Sequence, residues 1–307
     1  MRKRSNGKIE SYHSIGSRDA IRPGSLWLAA TVVAPGQSKV VPLRPEFIAK
    51  QDGAEKQDCE RAAVARWHKA HGARLKPLRP IYLADGLFAC HSVVQMLADG
   101  GDDFILTCKE TSHKALYDFI DGAEPERHQE KIRKGKTSQT FRYRFIAKVP
   151  IRGTEDSALV DWIGFEIADP KGVVTYKTAL VTSLPVTKSN VAEIVACGRA
   201  RWKIENESFN VLKNHGYELE HNFGHGENFL AMTLAALNML AFAWHTMLDL
   251  LEPPWRKARE AAEKRTSFFA YVGTLTSFVV FPNWAELLDA LATFTIPPNL
   301  LEPPKIE

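Results

Sequence analysis

The sequence has few cysteines and lacks the short motifs that identify several large enzyme classes. Its 307 residues include four cysteines, Cys59, Cys90, Cys108 and Cys197, and no Cys-x-x-Cys pair. This spacing argues against a zinc site or a disulfide framework and fits a reducing cytosol. The chain also lacks G-x-x-x-x-G-K-S/T, G-x-S-x-G and H-E-x-x-H, so NTPase, α/β-hydrolase and zincin functions have no support.

A secretory signal and a membrane-length apolar run are also missing. The first residues, MRKRSNGKIESYHS, contain no apolar core of the kind a signal peptide needs. The most apolar stretch, Phe229 to Trp244, covers 16 residues and is followed by His245 and Asp249, whereas a membrane span needs about 20. We therefore predict a buried core helix here, and no membrane partner.

Charge is nearly balanced overall but concentrated in one place. The net charge is +4, which is too small to indicate a partner. Between Arg127 and Lys148, however, eight Lys and Arg accompany one acid, Glu130, a local net charge of +7. In a strand, Arg142 and Arg144 would lie on one face and the aromatic residues between them on the other. The default interpretation is a solvated charged face, and the sharper one is a surface that contacts phosphates.

The first half of the chain has the pattern of an α/β fold. The β-branched segments 25–35 and 38–48 predict a hairpin. A helix-forming stretch ends near residue 75, with acids at its start and bases at its end. A strand over 79–88, a helix over 90–98 and a strand over 103–110 follow. This succession favours a sheet covered by helices.

The second half changes pattern twice. From residue 139 to 187 apolar and polar residues alternate, which predicts a β-rich block. After residue 189 the chain is predicted to be helical, over 189–214, 227–251, 255–280 and 283–294.

Two carboxylates lie where such a fold could use them. Asp85 follows an apolar strand, and ligands bind at the carboxyl ends of strands in open α/β sheets, although Asp-Gly is also a common turn dipeptide. Glu205 stands four residues after Arg201, one turn along the same helix face, although such pairs are usually solvated. Glu193 and Glu207 are rival carboxylates that spacing does not exclude.

These segments together resemble the DDE transposases of insertion sequences. RWKIEN at 201–206 resembles their third-acid signature, Tyr-x2-Arg-x3-Glu-x6-Lys, in which Arg201 and Glu205 match. Gly198 stands where the family has Tyr, and Lys213 follows one residue late. YLADGLF at 82–88 resembles the strand with the second Asp of the family. VAPGQSKVVPL, EFIAKQDGAEKQDCE and HNFGHGEN resemble one subgroup, so the likeness runs from about Leu28 onward.

The resemblance implies a ribonuclease-H-like mixed sheet, an α/β fold with an inserted β-rich block and a helical C-terminal region. Its first catalytic Asp lies on a first strand before the hairpin. Upstream of the hairpin this sequence has a single Asp, Asp19, in a polar segment interrupted by Gly and Pro. We therefore expect the first strand and its Asp to be absent from a truncated chain. The predicted organisation is an irregular segment (1–24), the first part of the ribonuclease-H-like domain (25–138), the inserted block (139–188), the helical completion bearing Glu205 (189–296) and a tail (297–307).

The same resemblance implies chemistry on DNA. Asp85 and Glu205 would bind Mg²⁺ or Mn²⁺, which activate a water or a 3′-OH and stabilise the leaving oxygen. Arg201 and Lys213 would contact phosphates of double-stranded DNA at transposon ends and target, and Arg142 and Arg144 would cover the DNA end. Loss of the first Asp is expected to impair cleavage. A cytoplasmic, nucleoid-associated location is expected, and a homodimer in the DNA complex is left open.

Three alternatives stand beside an active transposase. The first is a catalytically silent DNA-binding remnant, and the second is a structure-specific nuclease on the same fold. The third is a helical interaction protein that uses the apolar helix at 229–251. His221 and His225 also suggest a metal pair, although no cysteine or third ligand is nearby in the sequence.

Overall fold

The structure is a computed structural model that describes residues 12–18, 26–48, 56–135, 137–221 and 230–300. It divides into two compact units, residues 1–204 and 205–307. The strands are β1 Tyr12–Arg18, β2 Leu26–Val33, β3 Val41–Pro42, β4 Glu46–Ile48, β5 Ile81–Ala84, β6 Asp103–Thr107, β7 Glu126–Lys134, β8 Thr137–Pro150, β9 Leu159–Ala168 and β10 Val174–Thr182. The α-helices are α1 Lys56–Leu75, α2 His91–Gly100, α3 Lys114–Asp121, α4 Val191–Ala200, α5 Asn210–Asn214, α6 Leu230–Leu251, α7 Pro253–Ala261, α8 Arg265–Phe278 and α9 Trp284–Thr293.

All the described strands of the first unit belong to one mixed sheet. Its order is β3-β2-β1-β5-β6-β10-β9-β8-β7, and β4 also pairs with β2. β1, β5 and β6 run parallel, whereas the other pairings are antiparallel. The predicted α/β class is confirmed. The chain order is β1-β2-β3-β4-α1-β5, so a strand does precede the hairpin, where the family resemblance has its first strand.

The prediction that residues 1–24 are irregular is wrong for β1. Residues 12–18 form a strand that pairs with β2 on one side and with β5 on the other. The sequence YHSIGSR has no run of apolar residues, so its own pattern does not predict a strand. Its backbone instead completes hydrogen bonds that two neighbouring strands would otherwise leave unmade. Position in the sheet therefore overrides local propensity.

The β-rich block begins earlier than residue 139 and joins the central sheet. β7, at Glu126–Lys134, pairs with β8 along its whole length. β10 pairs with β6, so the block extends the central sheet. β7 was missed because ERHQEKIRK has almost no apolar residues. An edge strand of this kind can be polar on both faces.

The core of the first unit lies on one face of this sheet, under α1, α2 and α3. Trp67 of α1 and Leu116 of α3 are buried there with Phe104 and Leu106 of β6. Ile105, between those two β6 residues, lies on the other face and packs against α4. This alternation is the period-2 pattern of a strand buried on both sides.

The second unit is helical, as predicted, with a small apolar core. Trp255, Phe268, Leu287 and Leu291 are buried in it. The predicted helix over 255–280 is two helices, α7 and α8, separated at Glu263, whose φ of 56° lies in the left-handed region. That conformation ends a right-handed helix.

The prediction of a buried core helix at Phe229 to Trp244 is wrong in part. α6 spans Leu230–Leu251, and only 28% of its most apolar 18-residue window is buried. It is the one described helix that is long and apolar enough to cross a membrane by length and composition. A single such helix is weak evidence for a membrane span, because a core helix passes the same test.

A half-buried polar network links α6 to α8. The Nη1 of Arg265 donates to the hydroxyl oxygen of Tyr217 at 2.9 Å, and that hydroxyl lies 2.9 Å from Nδ1 of His245. Because the hydroxyl oxygen of Tyr217 accepts the hydrogen bond from Arg265, the hydroxyl proton of Tyr217 can be donated to Nδ1 of His245. Burial, and then the charge of Arg265, lowers the pKa of His245. Trp255 completes the network by donating to Asp249 at 2.8 Å.

Candidate nucleic-acid interface

Asp85 lies where the resemblance requires it, at the carboxyl end of the central strand β5. It is half-buried, and its Oδ1 accepts a hydrogen bond from the backbone N–H of Leu87 at 2.9 Å. The N–H of Phe88 closes the same turn on the backbone oxygen of Asp85 at 3.2 Å. The turn interpretation of Asp-Gly is therefore confirmed. A metal role for Asp85 remains a prediction.

The strand beside Asp85 has no carboxylate. Ile15 of β1 pairs with Ala84, so Gly16 is the next register position, opposite Asp85. The family fold has its first Asp on this strand, and the sequence of β1 contains none. Asp19 lies outside the described residues. Among the residues that are described, no three His, Cys, Asp or Glu side chains are grouped to hold a metal ion.

The helix expected over 189–214 is interrupted just before Glu205. α4 ends at Ala200, a turn follows at 201–202, and residues Ile204–Phe209 form a π-helix before α5 begins. π-helical turns bond residue i to i+5, insert one extra residue and often mark functional sites. Two α-helical turns take about seven residues. In an uninterrupted α-helix the seventh residue after Glu205 would therefore lie on the same face as Glu205. The extra residue of the π-helical turn moves that place to the eighth residue, which is Lys213.

Gly198 also has a structural explanation. A Cβ placed there would lie 2.7 Å from Cδ1 of Leu180 and 3.0 Å from Cγ2 of Ile105. α4 thus contacts β10 and β6 with its backbone at this point. A Tyr, the family residue at this position, has no space in this packing.

The basic residues of the signature make contacts inside the protein. Arg201 is 7% exposed, and its Cζ lies 4.6 Å from the ring centroid of Trp202. Lys213 is also largely buried and forms an ion pair with Glu220. DNA contacts by these two side chains remain predictions, and each would require the side chain to leave its present surroundings.

The remaining carboxylates and histidines divide between the two units. Asp85 and Glu193 lie in the first unit, whereas Glu205 and Glu207 lie on the π-helical turn that opens the second. The convergence of Asp85 and Glu205 on a metal ion stays a prediction. His221 is exposed, and His225 lies outside the described residues, so the suggested histidine pair is untested.

Arg142 and Arg144 belong to a larger surface on the sheet, which we call the basic face. The two arginines are exposed and Tyr143 between them is buried, which confirms the predicted division of faces. The register places Arg127 opposite Arg144 and Gln129 opposite Arg142. The basic face comprises the exposed bases Arg127, Lys131, Arg133, Arg142, Arg144 and Lys177, together with the acid Glu166.

The acids of β7 lie on the opposite face. Glu126 and Glu130 pair with Phe145 and Phe141, whereas three bases of β7, Arg127, Lys131 and Arg133, stand at odd positions. The fourth base, Lys134, stands at an even position like the two acids. On that opposite face, burial and then Glu130 raise the pKa of Tyr143 to about 12. The phenol is therefore neutral. The basic face therefore carries no acid of β7, and it has a net charge of +5 from six bases and one acid.

The centre of the basic face is shaped by packing. The guanidinium carbon of Arg144 lies 5.8 Å from the ring centroid of Trp162. A Cβ at Gly164 would lie 2.6 Å from Cη2 of Trp162, so only glycine lets the indole lie along the strand there. The resulting groove of about 300 Å³ is lined by Arg127, Arg142, Arg144 and Glu166.

A second groove combines bases with aromatic rings beside α4. Arg199 lies over the rings of Tyr176 and Phe165, at 5.1 and 5.5 Å from their centroids. Trp202 is 48% exposed, and Lys203 donates to the backbone oxygen of Gln37. Arg199 and Lys177 were not predicted from the sequence, whereas the bases of β7 belong to the basic run between Arg127 and Lys148 without having been predicted to lie on a strand. The bases at 127, 131 and 133 all stand at odd positions, which is the period-2 pattern of one strand face. The strand itself was not predicted because its sequence has almost no apolar residues.

Comparison with known proteins identifies no family for this chain. A scan against models of known protein families and a search of characterised proteins both find no match to this chain.

Proposed function

We propose that this chain is a transposase of the DDE type that contacts double-stranded DNA through the basic face and whose cleavage activity is impaired. Cytoplasmic location and a Mg²⁺ or Mn²⁺ requirement belong to the same proposal. Three features support it: the strand order, the position of Asp85 at the end of β5, and the basic face. Cleavage rests on the resemblance alone, because β1 contains no carboxylate.

The observation that carries the proposal is the accumulation of bases on one face of β7 and β8. Like charges placed directly opposite across strands are destabilising, yet Arg127 stands opposite Arg144. A row of DNA phosphates would reverse that cost, since each neutralised phosphate also releases counterions.

The test is a salt series of duplex DNA binding. Titration with a labelled duplex between about 50 and 200 mM salt gives the slope of log K against log salt. Each lost phosphate contact reduces that slope by about 1. Arg142→Gln/Arg144→Gln should therefore reduce it by about 2 units.

A charge-matched variant separates the basic face from general electrostatics. Lys69 and Arg74 are exposed on α1, away from β7 and β8. Lys69→Gln/Arg74→Gln should leave the slope unchanged. Binding that is independent of salt, or an equal loss in both variants, would exclude the basic face as the DNA-contacting surface.

The second candidate is a catalytically silent remnant, favoured by the absence of an acid from β1. Incubation with duplex DNA and Mg²⁺ distinguishes the two. Nicking that disappears in Asp85→Asn and in Glu205→Gln would establish an active enzyme. DNA binding without nicking would establish the remnant, and cleavage without strand joining would indicate a nuclease.

A further inference from the structure

Two arginines of the second unit, Arg259 and Arg265, share one buried acid, and we call them the arginine pair. Nη2 of Arg265 lies 3.9 Å from Oδ2 of Asp249, whose side chain is only 4% exposed. Burial, and then the charge of Arg265, lowers the pKa of Arg259, while the charge of Asp249 acts in the opposite direction. The exposed Arg256 and Glu260 on α7 offset each other in charge. The three inner side chains therefore carry a net charge of +1, from two bases and one acid.

Arg265 is held in place by contacts that do not neutralise it. Its Nη1 donates to the uncharged hydroxyl of Tyr217 at 2.9 Å, and its guanidinium carbon lies 5.6 Å from the centroid of the Tyr217 ring and 5.7 Å from that of Phe242. The Oδ1 of Asp249 is already engaged, because it accepts the hydrogen bond from Nε1 of Trp255 at 2.8 Å. The aromatic contacts fix the position of the guanidinium, and the single carboxylate offsets only half of the charge of the arginine pair.

Arg259 has a donor that the described part of the chain leaves unsatisfied. Its Nη1 is buried, and no acceptor among the described residues lies within hydrogen-bond distance of it. A cation in the last turn of a helix is favourable, which accounts for an arginine at this place in α7 but not for a buried Nη1 without a partner. A water molecule would satisfy the hydrogen bond without offsetting the excess charge. A negatively charged acceptor would do both.

We propose that the arginine pair is a binding site for a phosphate-type oxyanion. Guanidinium groups present planar forks of N–H donors that match the oxygens of such an ion. Arg265 opens α8, whose first turn contains no acid and whose N-cap residue, Lys264, makes no side-chain hydrogen bond there, so the positive end of the helix dipole adds to the same potential. Both arginines are partly exposed, which gives ions from solvent access to the pair.

His245 reports on the charge of this site. Its Nδ1 lies 2.9 Å from the hydroxyl oxygen of Tyr217, and the uncharged indole of Trp255 stacks on its ring. Burial, and then the charge of Arg265, lowers the pKa of His245, while Asp249 acts in the opposite direction. An oxyanion that offsets the charge of Arg265 should therefore raise the pKa of His245 toward its ordinary value.

An NMR titration of the full chain with sodium sulfate, at constant ionic strength, tests the site. Sulfate is the probe because it keeps its two negative charges throughout the pH range in which histidine titrates. The imidazole resonance that is missing from His245→Asn should titrate at higher pH as sulfate is added, and this change should saturate. Arg259→Gln should raise the sulfate Kd at least about 10-fold, the factor expected from the loss of one hydrogen bond to a charged group.

Two further variants make the result specific. Lys257→Gln removes the same charge from an exposed position of the same helix and should leave the Kd unchanged. Arg259→Lys keeps the charge but loses the fork, so it should weaken binding less than Arg259→Gln does, and it replaces that variant if glutamine prevents folding. The absence of a saturable response of His245, an unchanged Kd in Arg259→Gln, or an equal loss in Lys257→Gln would overturn the proposal.

Competition identifies the source of the oxyanion. Inorganic phosphate should displace sulfate from the arginine pair. Duplex DNA is added to Arg142→Gln/Arg144→Gln, in which the basic face is weakened. Displacement of sulfate by the duplex would assign the site to the DNA backbone, and retention of sulfate would assign it to free phosphate or a small phosphate ester. The site uses no residue of the basic face, so the response of His245 is independent of the proposed function.

Discussion

Gly198→Ala tests how closely α4 packs against the sheet. The new methyl would lie 2.7 Å from Leu180 Cδ1 and 3.0 Å from Ile105 Cγ2. Side chains or helix must therefore shift to admit it. α4 leads directly into the turn and π-helix that bear Arg201 and Glu205, so the packing of α4 on the sheet affects the position of these two residues.

The sign of the effect follows from two opposing contributions. Replacing a helical glycine with alanine gains about 1 kcal/mol of helix stability. Overpacking a filled core costs about 1 to 3 kcal/mol. Gly198→Ala should therefore lower the free energy of unfolding by up to about 2 kcal/mol. Gly273 of α8 has no atom within 4 Å of its would-be Cβ, so Gly273→Ala should instead stabilise by about 0.5 to 1 kcal/mol.

Urea unfolding of the two variants, followed by tryptophan fluorescence and circular dichroism, measures both changes against the wild type. The two variants are expected to change the free energy of unfolding in opposite directions. Both replace a helical glycine with alanine, so the difference between them reports the packing around each position. If Gly198→Ala stabilises the chain as much as Gly273→Ala does, the close contact between α4 and the sheet is incorrect. Gly198→Tyr, which introduces the Tyr of the transposase signature, should fail to give a folded protein.

Two further predictions concern single side chains. The lowered pKa of His245 means that the unfolded chain binds a proton near pH 6.5 while the folded protein does so only at lower pH, so the free energy of unfolding should fall as the pH drops below about 6.5. Urea titrations across this range should show a weaker pH dependence in His245→Asn, and an unchanged dependence would contradict the assignment. Asp85→Ala removes the acceptor for Leu87 N–H and should cost about 0.5 to 1.5 kcal/mol. Asp85→Asn keeps an acceptor and should be nearly neutral, so equal losses in both variants would argue against the turn.

The sequence by itself determined the α/β class and most of the regular elements. The alternation of apolar and polar residues predicted β8, β9 and β10. The same alternation predicted that Arg142 and Arg144 share a face, because a strand turns every second side chain to the same side. Asp85 at the end of β5 could likewise be predicted, since an apolar run followed by Asp-Gly ends a buried strand in a turn. These features depend on neighbours close in sequence.

Tertiary structure alone decided the rest. β1 and β7 have polar sequences and become strands because neighbouring strands offer them hydrogen-bonding partners. The exposure of apolar side chains on α6 could not be predicted from composition, because composition does not say which face of a helix the rest of the unit covers. The close packing at Gly198 depends on the distance between α4 and the sheet, which no local pattern contains. Local patterns specify what each segment can form, and contacts between distant segments select which face is buried and which strand is paired.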